Sequence, residues 1–427
     1  MSKNLKEGTI CVQGGYSPKT GEPRVLPIYQ STSYKFDDPE TVANLFDLKE
    51  EGHLYSRISN PTLDSLEKKF SELEHGVGAV AVSSGQSAVL LSILNLCKAG
   101  DNIISSVTLY GGTFNLFNIT LKNWGIETRF FDPEASEEEI SNLIDENTKA
   151  IFGETIGNPG LNVLDFEKLA KVGRDNKIPF IVDNTIASPC LCNPIDLGAN
   201  IVVHSTSKYS DGHATALGGI IVDGGNFNWD NGKFLSLVEP DPSYHGIKYI
   251  ENFGKDAYIT KLRVTLLRDF GCILSPFNGF LTNLGLETLH LRIKKHSENA
   301  LALAKYLENN HNVNWVNYPF LESNKNYSRA KEILKGGASG LLTFGIKGGV
   351  LGAKKFTKAL KLVTLVVHLG DARTTLLHPA STTHSQLTED EQIASGVLPD
   401  LIRVSVGIED IEDIINDFEQ AFKAIGE

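Results

Sequence analysis

Between roughly residues 60 and 225 short apolar runs alternate with stretches of helical spacing, and no other feature of the 427-residue chain restricts its fold as strongly. Such alternation is the pattern of a mostly parallel sheet covered by helices. Candidate strands are 77–82, 102–106, 126–131, 149–154, 178–183, 200–204 and 216–222, seven in all. Leu63, Leu66, Phe70 and Leu73 recur at helical spacing, and the 87–98 run is closed by Gly100, so helical crossovers fit the intervals.

In sheets of this kind, ligand contacts come from loops at the carboxyl ends of the strands. Ser84-Gly85-Gln86 follows the first run and Tyr110-Gly111-Gly112 the second. Asn158 follows the fourth, Asp183 ends the fifth, and Ser205 to Lys208 follow the sixth. Five loops thus converge on one edge.

Beyond residue 225 the organisation changes. The 226–249 stretch is rich in Asn, Asp, Gly and Pro and reads as a long loop leaving the first domain. Helical patterns over 262–307 then lead into a smaller α/β part, with apolar runs at 341–346, 362–367 and 401–406 and a closing helix near 411–425. The first sixty residues lack a core pattern of their own and suggest an arm that gains order on a neighbouring subunit. The expected division is an arm over 1–60, a ligand-binding domain over 61–270 and a C-terminal domain over 271–427.

A formal net charge of −12 with no extended Lys/Arg cluster disfavours nucleic acid and anionic lipid as partners. The N-terminus lacks the apolar stretch of a signal peptide, and no apolar run is long enough to span a bilayer, so a soluble cytoplasmic protein is expected. Five scattered cysteines argue against a disulfide framework, and Cys190 with Cys192 lacks a second pair for metal.

Lys208 lies twenty-five residues after Asp183, a pairing that suits pyridoxal phosphate. The aldehyde of that cofactor needs a lysine amine, and its ring nitrogen needs an acid that keeps the ring cationic. Alone, Asp183 would read as a cap after a buried strand, and Ser84-Gly85-Gln86 as an ordinary helix start. With Lys208, the Ser84 turn becomes an anion site at a helix N-terminus, to which Ser205 and Ser207 add hydroxyls. Tyr110, with Gly111 and Gly112 beside it, can lie flat on a ring, although a surface aromatic in a turn looks the same. Arg57, with Tyr55 at the end of the arm, is either a solvated charge or a bidentate phosphate ligand. Arg403 sits in an otherwise apolar strand and needs a partner, either an internal acid or the α-carboxylate of an amino-acid substrate. His368, His378 and His384 fit no standard zinc spacing, so no metal is expected and positioning roles are favoured.

Taken together these residues resemble the Cys/Met-metabolism family of fold-type-I pyridoxal-phosphate enzymes, nearly end to end. The shared landmarks are Pro27 to Thr32, Tyr55-Ser56-Arg57, Ser84-Gly85, Leu109 to Thr113, Glu154-Thr155 with Asn158-Pro159, Asp183-Asn184-Thr185, Ser205 to Tyr209, His378 to His384, and Arg403-Val404-Ser405. The insertion with Glu239 to Gly246 resembles the sulfhydrylase branch, as does Leu267 to Gly271 leading into Leu274 to Asn278, and Gly112 stands where methionine γ-lyases carry cysteine. The resemblance implies a large mostly parallel seven-stranded sheet domain with a smaller C-terminal α/β domain. It implies that Lys208 forms the Schiff base and that the N-H groups of Gly85 and Gln86, with Ser205 and Ser207, bind phosphate. Asp183 would pair with the ring nitrogen, Tyr110 would stack, and Asn158 would touch the phenolic oxygen. Arg403 would clamp the substrate carboxylate, with His368 nearby where many relatives use Ser or Asn. Tyr55 and Arg57 would reach in from the adjacent subunit of a homotetramer built from dimers, and Tyr110 or Tyr55 would assist proton transfer. The implied reaction is γ-replacement of O-acetyl-L-homoserine by sulfide or another small thiol. Alternatives are a cystathionine γ-synthase, a methionine γ-lyase and a non-catalytic cofactor-binding protein.

Overall fold

A computed structural model describes residues 5–382, 385 and 396–424. The strands are β1 (Gly78–Val82), β2 (Asn102–Ser106), β3 (Glu127–Phe131), β4 (Thr148–Glu154), β5 (Phe180–Asp183), β6 (Ile201–His204) and β7 (Gly219–Asp223). They form one sheet in the order β1-β7-β6-β5-β4-β2-β3. Only β7 runs antiparallel to its neighbours, β1 and β6. The seven apolar runs are therefore the seven strands, shifted at most by a few residues at their ends.

Both faces of this sheet are covered, which is why the runs are apolar at nearly every position. Ile151, Val182, Val202 and Val222 face one core, while Phe152, Ile181, Val203 and Ile221 face the other. The first core continues into a second sheet. That sheet contains β8 (Val313–Asn317), β9 (Leu341–Ile346), β10 (Thr364–Leu365), β11 (Thr375–Leu377) and β12 (Leu401–Ser405), in the order β10-β11-β12-β9-β8. Phe344 of β9 meets Phe356, Phe418 and Phe422 from the helices Gly349–Ala359 and Ile411–Lys423 that back the sheet.

Two expectations change. The crossover helix expected over 87–98 is Gly85–Leu94; Ser84 starts it by accepting the Ser87 N-H, and Gly100, with φ +95, serves the turn into β2. The 226–249 stretch does not leave the first unit. Trp229, Phe234, Leu237 and Tyr249 are buried in the second core, and Trp229 stacks on Tyr258 with centroids 5.1 Å apart. Burying each such side chain is worth about 1.5–3 kcal/mol, enough to draw a polar loop onto the sheet. In the arm, the helices Glu7–Gln13 and Pro39–Phe46 bury few apolar side chains, and Val25, Tyr29, Phe46 and Tyr55 are exposed.

Candidate active site

Because β1 to β6 are mutually parallel, their carboxyl ends meet at one edge, and the start of the antiparallel β7 returns to it. After β6 the chain turns tightly. Thr206 N donates to Gly218 O at 3.0 Å, Asp211 N to Thr206 O at 2.9 Å and Gly212 N to Lys208 O at 2.7 Å. This turn fixes Lys208, whose Nζ lies 3.3 Å from His368 Nδ1. Burial, reinforced by the charge of Arg403, lowers the Lys208 pKa to about 8. Burial and then Lys208 lower His368 to about 4, so at neutral pH its uncharged ring can accept from Nζ. Its other nitrogen, Nε2, is buried without a partner among the described residues.

Asp183 ends β5. Its Oδ1 accepts the Thr185 N-H at 2.9 Å, and Thr185 Oγ1 in turn accepts the Ser205 N-H at 2.8 Å. Burial raises the Asp183 pKa, which the two hydrogen bonds from Thr185 and the charge of His204 oppose. Directly beside it in register is Glu154, the last residue of β4.

At the neighbouring turn, Ser84 Oγ is occupied by the Ser87 N-H at 3.1 Å, whereas the N-H groups of Gly85 and Gln86 have no acceptor among the described residues. A Cβ on Gly85 would lie 2.6 Å from Ser205 Cβ, so the two loops are pressed together there. Gln86 Oε1 is buried without a partner among the described residues. Ser207 differs from Ser205. Its hydroxyl donates to Gly218 O at 3.2 Å and accepts Gly218 N at 3.0 Å, so it can donate to a ligand only by releasing that carbonyl.

From β12, Arg403 Nη1 donates to Asn158 Oδ1 at 3.2 Å and Nη2 to His368 O at 3.3 Å. Among the described residues it has no acid partner, and both bonds go to neutral oxygens. Burial lowers its pKa to about 10. Tyr110 is half exposed, and its N-H donates to Glu154 Oε1 at 2.6 Å. A Cβ on Gly112 would lie 2.5 Å from both the Tyr110 ring and Gln86 Nε2, so the ring needs glycine beside it.

Tyr55 and Arg57 stand apart. The guanidinium lies 5.4 Å from the Tyr55 ring and donates to Arg268 O, and neither side chain bonds to Lys208, Asp183 or Tyr110 of the same chain. His378 is engaged on both ring nitrogens, by Ser381 Oγ at 2.8 Å and Pro399 O at 2.9 Å. His384 lies outside the described residues.

The profile of the Cys/Met metabolism PLP-dependent enzymes matches residues 8–423. The chain belongs to this family. It is 48% identical to the O-acetyl-L-homoserine sulfhydrylase of Leptospira meyeri, over 100% of this chain and 98% of that one. It is 48% identical to the homocysteine synthase of Schizosaccharomyces pombe, over 97% of each. Among solved structures, a putative O-acetylhomoserine (thiol)-lyase from Campylobacter jejuni, containing a pyridoxyl-lysine phosphate residue, superposes with TM-score 0.95 at 39% identity, covering 98% of this chain and 100% of that one. The architecture is thus the fold-type-I one, and pyridoxal phosphate is the cofactor of this PLP-dependent enzyme.

The residues present fit that cofactor of the family. A part-buried amine of lowered pKa, a part-buried carboxylate with no salt-bridge partner among the described residues, and two N-H groups at a helix start with no acceptor among them all converge on the same edge. Two residues of the site stand in the sequence only as family landmarks without an assigned role: Thr185, which ties Asp183 to Ser205, and Glu154. Thr185 could have been found as a hydroxyl two residues past Asp183. Glu154 could have been found as an acid closing a buried strand on the same edge.

Proposed function

We propose that this enzyme replaces the γ-acetoxy group of O-acetyl-L-homoserine with sulfide, giving L-homocysteine and acetate in methionine biosynthesis. The carrying observation is Arg403, a guanidinium held by Asn158 and His368 with no acid partner among the described residues, close enough to depress Lys208. Such a group suits the α-carboxylate of a substrate whose amine exchanges with Lys208. The choice of branch rests on the names of the full-length relatives.

The bound cofactor supplies an aldehyde carbon for Lys208 and an electron-withdrawing ring. Lys208 Nζ, once exchanged for the substrate amine, would accept the Cα proton and hand it back to the cofactor-bound substrate. As a neutral amine again it would accept a Cβ proton, since departure of acetate from Cγ needs both carbons deprotonated in turn. Burial makes its neutral form accessible near pH 8. Asp183 would serve the ring nitrogen and Asn158 the phenolic oxygen. Ser84, Gly85, Gln86, Ser205 and Ser207 would hold the phosphate. Tyr110 would stack on the ring, while Arg403 and His368 orient the carboxylate.

Tyr55 and Arg57 would complete the site of an adjacent subunit, exclude water and, through Tyr55 or Tyr110, help move protons. Their separation from Lys208 within one chain and the exposed apolar residues of the arm support this reading, and with it a homotetramer of dimers. The division at 1–60, 61–270 and 271–427 is supported by two sheets whose strands fall within 78–223 and 313–405. No helix among the described residues is long and apolar enough to cross a membrane, and we place the enzyme in the cytoplasm.

The test offers purified enzyme O-acetyl-homoserine, O-succinyl-homoserine or O-acetyl-serine, each with sulfide, methanethiol or cysteine, and identifies products by mass. Homocysteine from the acetyl ester and sulfide is expected. Release of 2-oxobutyrate without thiol would mark a γ-lyase, and preference for cysteine a cystathionine synthase. Loaded protein that turns nothing over would mark a non-catalytic binder.

A further inference from the structure

We infer that Glu154 is a positioning residue of this site, a neutral carboxylic acid that anchors the Tyr110 and Asn158 turns and leaves Asp183 the single anion toward the cofactor ring. The inference rests on the functional reading above, which gives Tyr110, Asn158 and Asp183 their roles.

Two loops hang on this one carboxyl group. The Tyr110 N-H donates to Glu154 Oε1 at 2.6 Å, and the Asn158 backbone N-H is the second group that acts on the same carboxyl. Asn158 Oδ1 in turn accepts from Arg403 Nη1 at 3.2 Å. The turn that carries the Tyr110 ring is thereby tied to Glu154, and the Asn158 turn that follows the same strand meets the Arg403 guanidinium. Glu154 is 5% exposed and has no Lys, Arg or His paired with it among the described residues.

Its register partner across the sheet is Asp183, and partners on adjacent parallel strands share a face. Two carboxyls side by side, one buried and one partly so, do not both ionise. Asp183 has the stronger claim to the charge, since the Thr185 N-H donates to its Oδ1 at 2.9 Å and Thr185 and His204 both oppose the effect of burial on it. Glu154 faces burial and the Asp183 charge, against two amide donors only, and is pushed well above the usual carboxylate range. The proton therefore resides on Glu154, where an amide would be its isostere.

The test compares Glu154→Gln and Glu154→Leu holoenzymes with the parent. The infrared difference spectrum, parent minus Glu154→Gln, is expected to contain a carboxylic-acid C=O stretching band at neutral pH. Glu154→Leu, which releases both turns, is expected to lose at least about tenfold more kcat/KM than Glu154→Gln, mostly through misplaced reacting groups. Absence of the acid band would overturn the inference. So would a Gln variant as impaired as the Leu variant with its cofactor absorbance intact, or a Leu variant with parental kinetics. If Leu prevents folding, the infrared result on the Gln variant decides alone. Loss of the functional reading would show separately, as a cofactor absorbance band that persists in Lys208→Ala.

Discussion

Lys208 must be buried enough to hold a cofactor and basic enough to move a proton, and these demands pull its pKa in opposite directions. With the folded value near 8 against 10.5 for a free side chain, the nucleophilic neutral amine is lost as pH falls through about 8. Cofactor attachment to the apoenzyme, followed by its absorbance, should therefore accelerate as pH rises, with a midpoint near 8. Arg403→Leu removes the second cause of the depression and should move that midpoint upward. The same variant strips the proposed carboxylate partner and should raise KM on the order of a hundredfold, the usual scale for truncating one side of a buried charge pair. Unchanged KM would remove Arg403 from the substrate site. Lys208 and Asp183 were legible in the sequence because Asp183 ends a strand and Lys208 follows the next strand, close together in the chain. Glu154 was visible only as an acid closing a strand, because its role depends on register with Asp183, which only the folded sheet supplies.

At the scale of elements, the turn before the helix Gly85–Leu94 is the most sensitive joint. A methyl group at Gly85 would meet Ser205 Cβ and Cα at 2.6 and 2.9 Å, so the two loops must separate to admit it. Gly85→Ala should weaken cofactor affinity by an order of magnitude or more, on the order of 1–3 kcal/mol for overpacking, while circular dichroism shows the fold retained. An affinity equal to the parent would contradict the cradle. The strands of the large sheet were readable because burial on both faces writes continuous apolar runs. β8 and β11 were missed for the opposite reason. Val313–Asn317 is a half-buried edge strand in which Asn314 and Asn317 break any alternation, and Thr375–Leu377 is too short to show a period. The insertion misled because its few aromatic anchors are scattered among turn-forming residues.

The whole molecule raises the question of which chain completes each site. Tyr55 and Arg57 bond to their own chain away from Lys208. If they serve an adjacent subunit, mixing inactive Lys208→Ala and Arg57→Ala proteins under exchange conditions should restore up to about a quarter of the sites, since half of each mixed dimer is intact. No recovery after verified exchange would place each site within one chain. This level of organisation was legible only as an arm without a core, because a single chain contains no record of what covers it. The account as a whole depends on one amine. Borohydride reduction of the holoenzyme followed by peptide mass spectrometry should find the pyridoxyl phosphate adduct on the peptide containing Lys208; an adduct on a different lysine, or none, would contradict it.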